Sequence, residues 1–388
     1  MVDGKVQIML TAAKSLAKEV AALWADDVDR DARFPVETVT ELRRTGLLGA
    51  MVPAEWGGPE LSLGETAAIV TAIAEHCASS GLVLAMHHIQ VACIVRHAAP
   101  EALDRLLPRV VSGDLLLANA NSEVGLGGER RQSLCALEPC GGNFHIDKQA
   151  ATVSYGEYAD GILTTARRSP DSQAHDQVMA VCLPPLLELT PTGDWDTLGL
   201  RGTCSKPCHL VAEVPAELVI SDYADVFMRT SLPASAVLLS AVWLGLAEAA
   251  ARRAHAAVRA TARARGDSAG PGSPPIAALR LAELGIQLHQ LREVLIGGAT
   301  HYELAKDTPE VETLRFSSRM DYLKLSSSTL VLEVVQRAMA VCGLSGYRNQ
   351  SSVSMARISR DAAAAPLMVN NDRALQAMAQ TLLVRKEL

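Results

Sequence analysis

An interruption in helical patterning constrains this chain more than any other feature. Two long Ala-rich stretches with helical spacing flank a segment, about residues 118–228, whose apolar runs are short and separated by Gly, Pro, Asp and Ser. Before the interruption, apolar residues recur at helical spacing through Leu10–Leu23 and Val36–Leu47, with Gly46 and Gly49 closing the latter. Thr66 to His97 reads as a pair of apolar helical segments interrupted around Ser79-Ser80-Gly81. From Leu115 onward, the runs Leu115–Ala118, Ile162–Thr165, Met179–Cys182 and Leu210–Val214 have the strand-and-turn spacing of an antiparallel β unit. After Ser231 the helical pattern returns, with helices expected over Leu232–Arg265, Ile276–Leu304, Pro309–Cys342 and Asp372–Lys386. Pro233 is tolerated in a first turn, and the Gly/Pro-rich stretch 266–275 separates the first two helices. The expected architecture is α+β: an N-terminal helical domain (1–117), a middle antiparallel β-domain (118–228) and a C-terminal four-helix bundle (229–388).

At 388 residues the chain is too long for one typical core. With 49% apolar and 20% charged residues it is globular rather than disordered. A net charge of −7 argues against nucleic acid as a partner, which needs a basic face. No basic n-region and apolar h-region open the chain, so a cytoplasmic protein is expected. His76–Val95 and Thr230–Ala247 lack Lys, Arg, Asp and Glu. The first carries three His and a Ser-Ser-Gly break, and the second falls short of the roughly 20 residues of a membrane helix, so both read as buried bundle helices. The eight cysteines form no CxxC pair, and Cys204-x3-Cys208 has no second pair at zinc-like spacing. No metal is expected, and the thiols read as reduced.

Four short motifs sharpen the function. Trp195-Asp196-Thr197-Leu198-Gly199-Leu200-Arg201-Gly202-Thr203-Cys204-Ser205 lies in the β segment. Phe34-Pro35 to Gly58 precedes it, as does Asn121-Ser122-Glu123 with Gly125, Gly127 and Gly128. Gly343-Leu344-Ser345-Gly346-Tyr347 and then Arg360-Asp361-Ala362 follow. In content and order these four resemble the acyl-CoA dehydrogenase family across nearly the whole chain. The resemblance implies a flavoprotein oxidoreductase, with FAD between the β-domain and the C-terminal bundle and its ADP end reaching a neighbouring subunit of a homodimer or homotetramer. FMN or loosely bound reduced flavin is the alternative. The substrate would be an acyl thioester, CoA-bound or delivered by an acyl carrier protein, and an electron acceptor would reoxidise the flavin. A reduced-flavin-dependent monooxygenase served by a flavin reductase, or a non-catalytic homologue, are the other readings.

A flavin ring needs hydrogen-bond partners for its polar edge. By resemblance, Asn121, Ser122, Gly127 and Gly128 form the flavin turn. The second hydroxyl is Ser154 when counted back from Ala159-Asp160 and Thr152 when counted forward from Lys148; Ser154 is favoured. Gly343 belongs to the C-terminal flavin element. Arg263 and Arg265 stand where the family binds the pyrophosphate, and guanidinium forks suit phosphate; they equally suit a solvated helix C-terminus. Thioester oxidation needs a carboxylate in a dry pocket to take the α-proton. In many family members it is a Glu whose place here is Val369, and the alternative place, Ser231–Ala236, offers no carboxylate. Asp372 is the nearest acid to the first place and is the candidate base, although it also suits an ordinary helix first turn. Glu123 is the other candidate acid. On the helix that by resemblance lines the acyl pocket, His87 and Gln90 share a face. His87 is a candidate base or substrate ligand, Gln90 a substrate ligand, and the alternative for the histidine is helix packing.

Overall fold

A computed structural model describes residues 2–127, 129–265 and 276–384. The N-terminal region holds six helices: α1 (Val2–Leu16), α2 (Ala22–Arg30), α3 (Val36–Arg44), α4 (Leu63–Ala74), α5 (Ala78–His97) and α6 (Pro100–Val111). Local chemistry sets their ends. Ser62 and Glu65 form a reciprocal capping box at the start of α4, the Glu65 N–H donating to Ser62 Oγ at 3.2 Å and the Ser62 N–H to Glu65 Oε2 at 2.8 Å. The break between α4 and α5 falls at Glu75–Cys77, ahead of the expected Ser79-Ser80-Gly81, which instead lies in the first turn of α5. Gly81 is there for proximity: a Cβ on it would lie 2.5 Å from the Ala74 Cβ.

The middle region contains two four-stranded sheets. Strands β1 (Leu117–Ala120), β2 (Glu138–Cys140), β3 (Asn143–Val153), β4 (Gly161–Arg167), β5 (Gln177–Cys182), β6 (Leu187–Pro191), β7 (Lys206–Pro215) and β8 (Val219–Ile220) pair in the orders β1-β4-β5-β8 and β2-β3-β7-β6. Most pairings are antiparallel as expected, but β1 runs parallel to β4, with Leu117 opposite Gly161. Parallel neighbours need a long crossover, and residues 121–160 supply it by visiting the second sheet as β2 and β3. In β3 the register slips between Ala150 and Val153, so three residues advance against two on β7. This bulge falls in the stretch where counting forward and counting back gave different residues.

The C-terminal region contains α7 (Tyr223–Val226), α8 (Leu232–Arg265), α9 (Ile276–Ala305), α10 (Leu314–Tyr347), α11 (Ala356–Ala362) and α12 (Asn371–Val384). α8 is the central strut, burying Val237, Leu238, Val242, Trp243 and Leu246 against α4, α5, α9 and α10. A Cβ on Gly245 would meet Ala74 at 2.7 Å, so α4, α5 and α8 converge on one alanine. Such close approach is what an Ala-rich, aromatic-poor composition permits. By length and composition α5, α8 and α10 are apolar enough to cross a membrane, yet 89% of the apolar windows of α5 and α8 is buried within this fold. Gly343 adopts φ 57°, ψ −143° and kinks α10 near its end, a conformation only glycine reaches cheaply.

Candidate active site

The segment 195–205 ties the three regions together. A Cβ on Gly199 would sit 2.1 Å from the Arg360 carbonyl oxygen, so this backbone approaches α11 as closely as only glycine allows. Next to it, the Leu200 N–H donates to Asp361 Oδ1 at 2.7 Å. Arg201 Nε donates to the Asp29 carbonyl of α2 at 2.9 Å. Two distant motifs of the sequence are therefore docking partners. Burial raises the Asp361 carboxyl to about 6, against the pull of Arg357 and the Leu200 N–H.

These contacts frame a cavity of about 1130 Å³. Its floor is polar. Ser122 Oγ accepts the Thr152 N–H at 3.1 Å and lies 3.1 Å from Thr152 Oγ1, and both residues line the cavity. Ser205 donates to Ser154 Oγ at 2.8 Å, while Thr203 Oγ1 lies 2.8 Å from Ser205 Oγ. Since Ser154 accepts from Ser205, its own proton has no acceptor among the described residues and is available to a bound molecule. The two candidates for the second hydroxyl, Ser154 and Thr152, both border the space. So do Asn121, Ser122 and Gly127 of the turn; Gly128 lies outside the described residues. Asn121 Oδ1 and Gln90 Oε1, both at the cavity, are buried oxygens without a partner. Buried acceptors are ordinarily satisfied, so each invites a donor from a ligand.

Apolar residues make up much of the remaining lining. Leu82, Met86 and Ile89 come from α5, Leu232 and Leu239 from α8, and Leu367, Met368 and Val369 from the connection between α11 and α12. Val369 holds φ 48°, an uncommon conformation for a β-branched residue. It faces the cavity where the family carboxylate would stand, and Ser231 and Ser235 line the alternative place.

The expected bases require correction. His87 is fully buried and does not line the cavity. The Leu117 N–H donates to its Nδ1 at 3.1 Å, so Nε2 carries the proton and donates to the Leu48 carbonyl at 2.9 Å. Burial pushes its pKa down to about 4, and with both nitrogens committed it is a neutral packing histidine. Asp372 is exposed in the first turn of α12, its N–H donating to Asn370 Oδ1 at 2.9 Å; its neighbours Asn370 and Arg373 line the cavity and it does not. Glu123 is buried off the cavity, accepting from Ser133 Oγ and from the Leu134 and Cys135 N–H groups. Arg263 is exposed near the end of α8, away from the cavity of this single chain, and the Arg265 side chain lies outside the described residues. Gly343 shapes α10 and does not line the cavity.

Sequence reasoning missed Asp321. It projects from α10 into the cavity, and burial raises its carboxyl to about 6 despite the opposing pull of Arg130, Lys324 and Arg131. Lys324, one turn on, is buried, hydrogen-bonds Asn371 and is lowered to about 8. The available signal was an Asp and a Lys three apart, interleaved with the inward-facing Phe316, Met320 and Leu323.

Comparison with known proteins agrees with this geometry. Profiles described as acyl-CoA dehydrogenase, N-terminal domain, and acyl-CoA dehydrogenase, C-terminal domain, match residues 5–114 and 224–368. A probable acyl-CoA dehydrogenase of Bacillus subtilis is 25% identical over 92% of both chains. An L-evernosamine nitrososynthase of a Micromonospora species is 26% identical over 89% of this chain and 82% of its own. The fold is similar to that of the FMN-bound dibenzothiophene monooxygenase of Paenibacillus sp. A11-2, with a TM-score of 0.81 at 23% identity over 95% of each chain. The matched domains lie on either side of the segment carrying the 195–205 motif and most of the polar floor, and the chain belongs to the acyl-CoA dehydrogenase family.

Proposed function

We propose that this protein is a flavin-dependent oxidoreductase that oxidises an acyl thioester, CoA- or carrier-bound, held in the cavity between its three regions. The observation that carries the reading is a single cavity with a polar hydroxyl-and-amide floor and an apolar helical wall. Its volume exceeds the roughly 300–1,000 Å³ usual for one ligand, which leaves room for a cofactor ring beside a substrate. The free Ser154 proton, the Ser122–Thr152 pair and the unpartnered Asn121 oxygen offer donors and an acceptor together, the mixture that the polar edge of a flavin requires. FAD or FMN would be held there by Asn121, Ser122, Gly127 and Ser154. A bound flavin supplies the two-electron acceptor. Leu82, Met86, Ile89 and Leu239 would seat the acyl chain and exclude water. The Gln90 oxygen would accept from a donor on the substrate.

A second reading, a monooxygenase using reduced flavin from a partner reductase, is favoured by one observation: Val369 and the stretch Ser231–Ala236, the two places where the resemblance would put a carboxylate, offer none. Product masses separate the two. Incubation with a panel of acyl-CoAs should yield a thioester short of two hydrogens; a product with one added oxygen, formed only with reduced flavin and air, would replace the first reading by the second. The chain is further read as a homodimer or homotetramer, because Ile276, Leu279, Ile286, Ile296 and Leu304 of α9 are all more than half exposed.

A further inference from the structure

We propose that Asp321 is the group that accepts the α-proton of the substrate, supplied by α10 in place of the carboxylate absent at Val369; this rests on the thioester reading above. Asp321, Val369 and Ser235 together border the main cavity and a small side cavity that adjoins it. The places the family uses for its base, one on the connection before α12 and one at the start of α8, face the same space as Asp321. A carboxylate reaches that space from a third side.

Among the described residues, only Asp321 and Glu129 bring carboxylates to the cavity. Glu129 is engaged: it accepts the Arg131 N–H at 2.9 Å and pairs with the Arg131 and Arg373 guanidinium groups at 3.4 and 3.6 Å. Asp321 makes no hydrogen bond or ion pair with any described residue, so its oxygens are free to take a proton.

The charged groups nearest Asp321 are Arg130 and Arg131 from the segment after the flavin turn and Lys324 on α10 itself; Glu129, Arg360 of α11 and Arg373 of α12 line the same cavity, while α8 and the turn before it contribute neutral Ser235 and Ser231, and α5 neutral Gln90. Burial outweighs these cations and raises the carboxyl to about 6, a base matched to neutral pH. In the step, the Cα–H bond breaks and its proton passes to an Asp321 oxygen. The electron pair would form the Cα–Cβ double bond as the Cβ hydrogen leaves as hydride, for which a bound oxidised flavin would be the two-electron acceptor. The acyl chain loses two electrons and the flavin gains them.

The experiment compares wild type with Asp321→Asn and Asp321→Glu, all loaded with flavin and given an acyl-CoA that the wild type oxidises. Asp321→Asn should lose at least about 100-fold in rate, and the rise of rate with pH through about 6 should disappear. Asp321→Glu should keep that rise at a shifted position. A second readout needs no turnover: infrared titration of the flavin-free protein should contain carboxyl absorption titrating near 6 from both Asp321 and Asp361, and Asp321→Asn should lose the Asp321 share of it while Asp361→Asn retains that share. The inference is overturned if Asp321→Asn oxidises the thioester at the wild-type rate, or keeps the pH limb while slower, or retains the full wild-type amplitude of the carboxyl absorption titrating near 6. Should Asp321→Asn fail to fold, an Asp321→Glu protein whose pH limb stays at the wild-type position overturns it equally. If the wild type itself removes hydrogens from no thioester, the thioester reading falls and this inference with it; if only the variants are unaffected, the thioester reading stands without Asp321.

Discussion

At the scale of single residues, shared helix faces proved a coarse guide. Three positions along a helix still leave about 60° between side chains. That difference puts Gln90 at the cavity and turns His87 toward Leu48 and Leu117. His87 therefore joins the loop after α3 to the first strand. His87→Ala should destabilise the fold by about 2–4 kcal/mol, through a lost packing volume and two unsatisfied backbone groups. Denaturant unfolding measures this, and the folded fraction should retain its rate. The same histidine sets a pH dependence. His87 is held near 4 and His88 is also lowered well below its ordinary value, both by burial, so the unfolded chain binds more protons than the folded one below about 6.5. Their contribution is complete above pH 6.5 and declines as pH falls toward 4. Asp321 and Asp361, raised to about 6, act in the opposite sense, since their neutral forms favour the fold and that contribution is lost as pH rises through 6. A His88→Leu protein should show a smaller loss of stability between pH 7 and pH 5 than wild type, by denaturant titration at each pH. Asp321 itself was hidden in the sequence because one acid on a long helix looks solvated until the helix is oriented.

At the scale of elements, the motif 195–205 was legible as a string and its partner was not. Gly199 and Arg360 lie far apart in sequence and touch only after the bundle has assembled on the β-region. Gly199→Ala should push that loop away from α11, because the obstructing atom is a carbonyl oxygen and not a flexible side chain. A loss of about 1–3 kcal/mol is expected, together with weaker flavin binding, read by thermal melting with and without FAD; an unchanged melting curve would remove the loop from its assigned place. Helices were read with small errors because their period and caps are local. The α4–α5 break shifted because Ser79-Ser80-Gly81 looks like a breaker, whereas Gly81 serves a contact with Ala74. The parallel β1–β4 pair was invisible for a related reason: alternation reports which face is buried, not the direction of the neighbour.

At the scale of the whole molecule, the order of helical, β and helical regions was readable because the hydrophobic period changes twice along the chain. The cavity was partly readable. Part of its lining follows from the turn and hydroxyl motifs, while the rest is contributed by α5, α8 and α10, and the relative placement of α5 and α8 depends on close packing around Ala74. Arg263 remains exposed in one chain, so a phosphate role for it requires a second subunit, in keeping with the uncovered apolar residues of α9. Light scattering coupled to size-exclusion chromatography should give a mass at least twice that of the 41.2 kDa chain, and Ile286→Glu with Ile296→Glu should reduce it to one chain. A wild-type mass of one chain would leave Arg263 without a phosphate partner. In the thioester reading the cavity holds flavin and substrate together. The most direct test of that reading is the visible spectrum of the purified, flavin-loaded protein titrated with acyl-CoAs in the absence of oxygen. A yellow protein whose flavin absorption bleaches with at least one thioester is expected; a protein that binds no flavin, or a bound flavin that no thioester bleaches, would overturn the thioester reading.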